Sequence, residues 1–141
     1  GNIEVRIVIH RINISDLKGT ILFLKDLFIA HKNWYVVIIH YEIEGQCEKN
    51  YKKIGLRLKD SSKVIEEMYP EVFKMVPIRL YHFPLCVLKP ELRKYAWKTL
   101  PDEELAYPDR KCKKCKFRKI CPGLMLRYYE IYGANELKTI H

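Results

Sequence analysis

The sequence of 141 residues predicts an α/β fold: a partial, half parallel β/α barrel, then a cysteine-rich segment, then a terminal helix. Two observations lead there. Apolar runs of strand length alternate with stretches of helical spacing, so strand, helix, strand, helix, strand implies two successive crossover units and a parallel sheet. The central run shows no polar alternation, as expected of a parallel strand covered on both faces. Such a short parallel sheet has edges to complete, so the stretch reads as part of a larger barrel or sheet finished by a missing segment or another chain.

The elements follow in order. Glu4 to His10 is a β-branched apolar run, after which Asn13 or Ser15 is placed to cap a helix. That helix is expected from about Asp16 to His31, with Leu17, Ile21, Leu24, Leu27 and Phe28 at the spacing that buries one stripe. Tyr35 to His40 is the second strand, and Tyr41 to Leu58 reads as a long connection holding Gly45, Cys47 and Asn50. Asp60-Ser61-Ser62 can cap a second helix reaching about Lys74, split or kinked at Pro70. Ile78 to His82 is the third strand and ends at Phe83-Pro84-Leu85-Cys86. Pro90 to Leu100 reads as a short helix, Pro101 to Pro108 as an acidic turn-rich connection, and Pro122 to Tyr132 as a final helix ending at Gly133. Residues 1–83 then form the three-stranded half-barrel and residues 84–141 the metal or cluster segment.

Composition narrows the function classes. Hydrophobic residues make up 48 % and charged residues 30 %, the profile of a folded chain. No apolar run approaches the ~20 residues of a membrane span, and the first residues lack the pattern of a secretion signal, so the cytoplasm is the expected compartment and no membrane partner is expected. Five cysteines without such a signal argue for metal or redox chemistry over a disulfide framework. Charge is uneven: residues 1–70 carry 11 Lys/Arg against 9 Asp/Glu, and residues 71–141 carry 15 against 8. The excess lies at Arg110, Lys111, Lys113, Lys114, Lys116, Arg118 and Lys119. Such a run can contact phosphates, or it can offset the negative charge of a thiolate-bound metal.

The chemistry-bearing stretch is Cys112-Lys-Lys-Cys115-Lys-Phe-Arg-Lys-Ile-Cys121-Pro-Gly123. A Cys-x2-Cys pair binds one metal or cluster from a single turn, a third cysteine follows, and a remote fourth completes the set. Cys86 is placed for that role, and Cys47 is either a free thiol or its replacement. Zinc sites of this kind commonly use two Cys-x2-4-Cys knuckles, whereas clusters accept irregular spacing, and this chain has one knuckle only. Each strand also ends in a histidine, His10, His40 and His82, which places three imidazoles on the carboxyl edge where parallel α/β folds bind ligands. No serine elbow, phosphate loop or paired catalytic motif is present, so no general acid, base or nucleophile is assigned.

Taken together, the Val5-Arg-Ile-Val-Ile-His10 strand, Glu42-Ile-Glu44-Gly45, Tyr81-His-Phe-Pro-Leu-Cys86-Val-Leu88 and Cys-x2-Cys-x5-Cys-Pro-Gly resemble the carboxy-terminal half of radical S-adenosylmethionine enzymes. They are most similar to those with an auxiliary iron–sulfur cluster after the barrel, such as the maturase of the His-Xaa-Ser peptide system. The resemblance implies that Cys86, Cys112, Cys115 and Cys121 ligate an auxiliary 4Fe-4S cluster and that Gly123 is the small residue after the last ligand. The Cys-x3-Cys-x2-Cys motif that holds the S-adenosylmethionine-cleaving cluster is absent. The expectation is therefore a cluster-bearing portion that is not catalytic alone and that meets S-adenosylmethionine only with a missing half or partner chain. Its substrate class stays open among peptide, RNA and small molecule. The alternative is a small zinc-binding module that holds nucleic acid through residues 110–119, with Phe117, Tyr128 and Tyr129 available for stacking.

Overall fold

A computed structural model describes residues Gly1–His141. Three apolar runs form the parallel strands β1 (Ile3–Ile9), β2 (Trp34–His40) and β3 (Ile78–Tyr81), and a fourth strand, β4 (Ala96–Trp97), pairs with β3. The order across the sheet is β1-β2-β3-β4, so each strand lies beside the one before it. The fourth strand corrects the sequence reading. Pro90–Tyr95 is a 3-10 turn and not a helix to Leu100, and pairing with β3, a tertiary interaction, extends the last residues.

Between β1 and β2 lies α1 (Leu17–Leu27), shorter at both ends than expected. Asn13 does not cap it. The Asn13 side chain accepts from the His10 amide at 2.8 Å and donates to the Val8 carbonyl at 2.8 Å, closing the turn that leaves β1. Between β2 and β3 stand α2 (Gly45–Ile54), α3 (Leu58–Met68) and α4 (Glu71–Met75). The helix α2 occupies what the sequence presented as a long connection; it buries no residue fully and packs against the core through the narrow stripe of Cys47, Tyr51 and Ile54. Pro70 does divide the next helix, as its missing N–H requires. That helix begins before Asp60, and Ser62 donates to the Leu58 carbonyl at 2.8 Å instead of capping.

Side chains alternate across the sheet. Val36, Ile38, Ile78, Leu80 and Ile9 join Leu17 and Ile21 of α1, Leu58, Ile65 and Met68 of α3, and Val72 and Phe73 of α4 in one core of 23 buried residues. The other face carries Glu4, Arg6 and Val8, then Tyr35, Val37 and Ile39, then Arg79 and Tyr81, then Trp97, in mutual register. Val37 and Ile39 are buried yet stand outside the core, and the Arg79 guanidinium lies 4.0 Å above both the Tyr35 and Trp97 rings. All the helix residues of the core therefore lie on one side of the sheet.

The cysteine-rich segment is built onto this sheet. Leu88, Leu92, Leu124, Met125, Tyr128 and Leu137 belong to the same core, so residues 84–141 pack as one body with residues 1–83. Within the segment, β5 (Leu105–Ala106) pairs antiparallel with β6 (Leu124–Met125), α5 (Asp109–Cys112) is a single turn, and α6 (Leu126–Tyr132) ends at Gly133 with φ of 72°. The expected start of α6 at Pro122 is instead extended chain, because Leu124 and Met125 are drawn into pairing with β5. No helix is long and apolar enough to cross a membrane.

One-sided cover gives a direct test. Leu80→Ala on the helix face should cost about 2–5 kcal/mol of unfolding free energy, as large-to-small core changes do, whereas Val8→Ala on the open face should cost less than about 1 kcal/mol. Chemical denaturation of both variants checks the asymmetry.

Candidate metal centre

Four cysteines line one cavity. Cys86, Cys112, Cys115 and Cys121 surround a small cavity of about 20 Å³, together with Leu85, Tyr107, Phe117, Leu124, Leu137 and Ile140. No carboxylate or imidazole lines it; its only cations are Arg118 and Lys138. The donor set is thus all sulfur, in apolar surroundings.

Local folding explains the gathering. Pro84 turns the chain at the end of β3 into a 3-10 turn, Leu85–Val87, which carries Cys86. On the other side α5 delivers Cys112, and the chain keeps winding: the Cys115 amide donates to the Cys112 carbonyl at 3.1 Å and the Cys121 amide to the Phe117 carbonyl at 2.8 Å. Tyr107, next to β5, donates its hydroxyl to the Cys121 carbonyl at 2.9 Å and fixes the third turn. The tail closes over the site, with Thr139 donating to the Lys111 carbonyl at 2.8 Å and the Lys116 amide donating to the Ile140 carbonyl at 2.9 Å.

The amides of Leu85 and Gly123 both donate to Cys121 Sγ, each at 3.4 Å. Amides that donate to sulfur in this way are the outer contacts that orient a metal-binding cysteine. Burial pushes the Cys112 thiol up to about 11, and Cys86, Cys121 and Cys115 push it the same way, while Arg118 opposes them. Burial likewise raises Cys86, with Cys121 and Cys115 adding to the rise and the Lys138 amide resisting it. Cys112 therefore feels the other three thiols and Cys86 feels two of them, and a cation among them would reverse the balance. No three of the chain's His, Cys, Asp or Glu side chains converge tightly enough to hold a single metal ion as they stand; the four thiols ring the cavity instead. Four sulfurs in apolar surroundings are a donor set that suits either zinc or an iron–sulfur cluster.

Cys47 does not line this cavity. It sits on α2, packed against the core, so the fourth thiol at the site is Cys86. The histidines separate. His40 is fully buried, with Nδ1 2.9 Å from Ser61 Oγ and rings of Tyr41, Phe83 and Tyr128 around it, and it does not reach a ligand edge. This corrects the expectation that it serves one. His82, with φ of 70°, donates from Nδ1 to the His40 carbonyl at 3.0 Å and leaves Nε2 3.3 Å from Glu42 Oε1. Burial lowers His82, while burial and then Glu44 raise Glu42 to about 7, so burial disfavours the charged form of both partners. His10 lies at the β1 exit and accepts from the Ile12 amide at 3.2 Å. The three imidazoles form no common site. Beyond β2, Glu42, Glu44, Glu103, Glu104 and Glu130 line a separate cleft of about 360 Å³ with one cation, Arg127.

The basic run is solvent-facing. Arg110, Lys113, Lys114, Lys116, Arg118 and Lys119 are exposed, Lys111 is half-buried, and none of the seven has a carboxylate within 4.0 Å. The aromatics expected to stack bases are not available as a set. Tyr128 is 1 % exposed and its hydroxyl accepts from the Leu58 amide and donates to Glu136; Phe117 lines the cavity beneath Arg93 and Lys116. The sequence reading missed Tyr107, Leu137, Lys138 and Ile140, which no motif spacing marks.

The fold and site together define a parallel α/β protein with helices on one side of its sheet and a four-cysteine cavity beyond the sheet's carboxyl edge. Protein-family models, curated proteins and solved structures yield no match to the chain.

Two outcomes follow. Gly123 has φ of 79°, and a Cβ there would stand 2.7 Å from Tyr107 Cζ, so Gly123→Ala should destabilise the chain by about 1–3 kcal/mol, read as a lowered thermal midpoint. His40 is held near a pKa of about 3, chiefly by burial and then by His82, against an ordinary 6.5. A lowered value in the folded state means that its contribution to stability is complete above about pH 6.5 and is lost as pH falls toward 3, up to a few kcal/mol. An imidazole NMR titration should show His40 neutral throughout the folded range, and a protonated His40 at pH 5 would contradict the burial argument.

Proposed function

We propose that the chain is the cluster-bearing, carboxy-terminal portion of a radical S-adenosylmethionine enzyme, in which Cys86, Cys112, Cys115 and Cys121 hold an auxiliary 4Fe-4S cluster. The observation that carries the reading is the single apolar cavity ringed by those four thiols and no other metal-binding side chain. A cluster bound there supplies a one-electron couple beside the substrate. The chain's own residues hold it, shield it and tune it. Leu85, Leu124, Leu137 and Ile140 keep water from the sulfurs, the amides of Leu85 and Gly123 stabilise the Cys121 thiolate, and Arg118 and Lys138 offset negative charge.

The half-barrel belongs to the same proposal. Strands in sequential order with all core helices on one side are the arrangement of a singly wound barrel, whereas a doubly wound sheet reverses its order and takes helices on both faces. On that reading the face bearing Glu4, Arg6, Tyr35, Arg79, Tyr81 and Trp97 lines the barrel interior and helps position a substrate once the missing strands are supplied. S-adenosylmethionine cleavage then belongs to that missing half, since this chain lacks the motif for it.

Anaerobically purified chain should be brown, with about four irons and a matching amount of sulfide per chain, and Cys115→Ala should lose most of both. A colourless chain with one zinc would replace the proposal with a structural zinc site.

A further inference from the structure

We propose that the basic run over the cysteine cavity is the docking surface for a small acidic electron-carrier protein. The inference rests on the cluster reading above. Three observations carry it. The cations are interleaved in sequence with Cys112, Cys115 and Cys121, which line the cavity, and Arg118 lines it too, so the positive residues lie on the segment that walls the cavity. They are free: no carboxylate lies within 4.0 Å of any of them. And Ile120, 66 % exposed, puts an apolar side chain among them. Small interfaces with an apolar centre inside a charged rim are the form of transient electron-transfer contacts, where charge governs the encounter rate.

Offsetting the thiolates does not account for the whole run. Only Arg118 and Lys138 line the cavity, while Lys113, Lys114, Lys116 and Lys119 face solvent, where their charge is screened from the sulfurs. Nucleic acid is the less favoured occupant, because Phe117 faces the cavity and Tyr128 is buried, which leaves Tyr129 as the one exposed ring of the three expected to stack bases. The charge is also directional. The cleft of Glu42, Glu44, Glu103, Glu104 and Glu130 presents the opposite sign, so an acidic partner is drawn to one surface and repelled from the other.

The test uses the anaerobically purified full chain with its iron content measured, and an acidic two-iron ferredoxin as the probe. Binding is followed by calorimetry at low and high salt. Affinity should fall about tenfold or more with salt, and about tenfold in the Lys113→Glu/Lys114→Glu/Lys116→Glu variant, which retains its iron. The Lys49→Glu/Lys52→Glu/Lys53→Glu variant, which makes the same change of net charge on α2, should bind as the parent does. Equal affinity of the two variants, with iron retained in both, overturns the docking surface and leaves the cluster reading standing. So does tighter binding of single-stranded RNA than of the ferredoxin. A chain that holds zinc and no iron overturns the cluster reading itself, and the docking inference falls with it.

Discussion

Four thiols around one apolar cavity cannot all ionise without a cation among them. Each thiolate would be desolvated and would repel the other three, and the directions at Cys112 and Cys86 show both effects acting together. Arg118 is the only side chain that opposes the rise at Cys112, and one surface guanidinium does not neutralise four buried charges. A set of reduced thiols filling a core would not need amides aimed at sulfur or a cavity between them. Here both occur, at Cys121 and at the space the four residues share.

The rest of the chain serves that arrangement. The sheet fixes Cys86 because β3 buries Ile78 and Leu80 and is paired on both sides, so the turn after Tyr81 leaves from a rigid end. The pairing of β5 with β6 fixes Cys121 from the opposite direction, since Ala106 opposite Leu124 brings Tyr107 against Gly123 and its hydroxyl to the Cys121 carbonyl. The tail from Leu137 to Ile140 then covers the site. Two independent pieces of backbone, joined by one core, thus hold the first and last thiols of the set.

What was legible in the sequence was what local chemistry determines. The β-branched runs of β1, β2 and β3 and the amphipathic α1 declare themselves, and the spacing of Cys112, Cys115 and Cys121 marks three thiols that line one cavity. Spacing left open whether Cys86 or Cys47 joins the other three, and it is Cys86 that lines the cavity with them. The helix α2 escaped notice because it packs only through partly buried Cys47, Tyr51 and Ile54 and carries charge elsewhere. Two-residue strands such as β4 and β5 exist only by pairing, and nothing within Ala96-Trp97 or Leu105-Ala106 announces it. His40 looked like a ligand because it ends a strand. Its ring instead points to the helix side of the sheet, in the same register as Val36 and Ile38, where Tyr41, Phe83 and Tyr128 enclose it.

The central claim is that the four cysteines together hold an iron–sulfur cluster. X-ray absorption of the anaerobically purified chain at the iron and zinc edges tests it most directly. The account predicts an iron edge whose fine structure contains sulfur neighbours and a second shell of iron, with both lost when Cys86 and Cys121 are replaced by alanine. A zinc edge with four sulfur neighbours and no iron would contradict it.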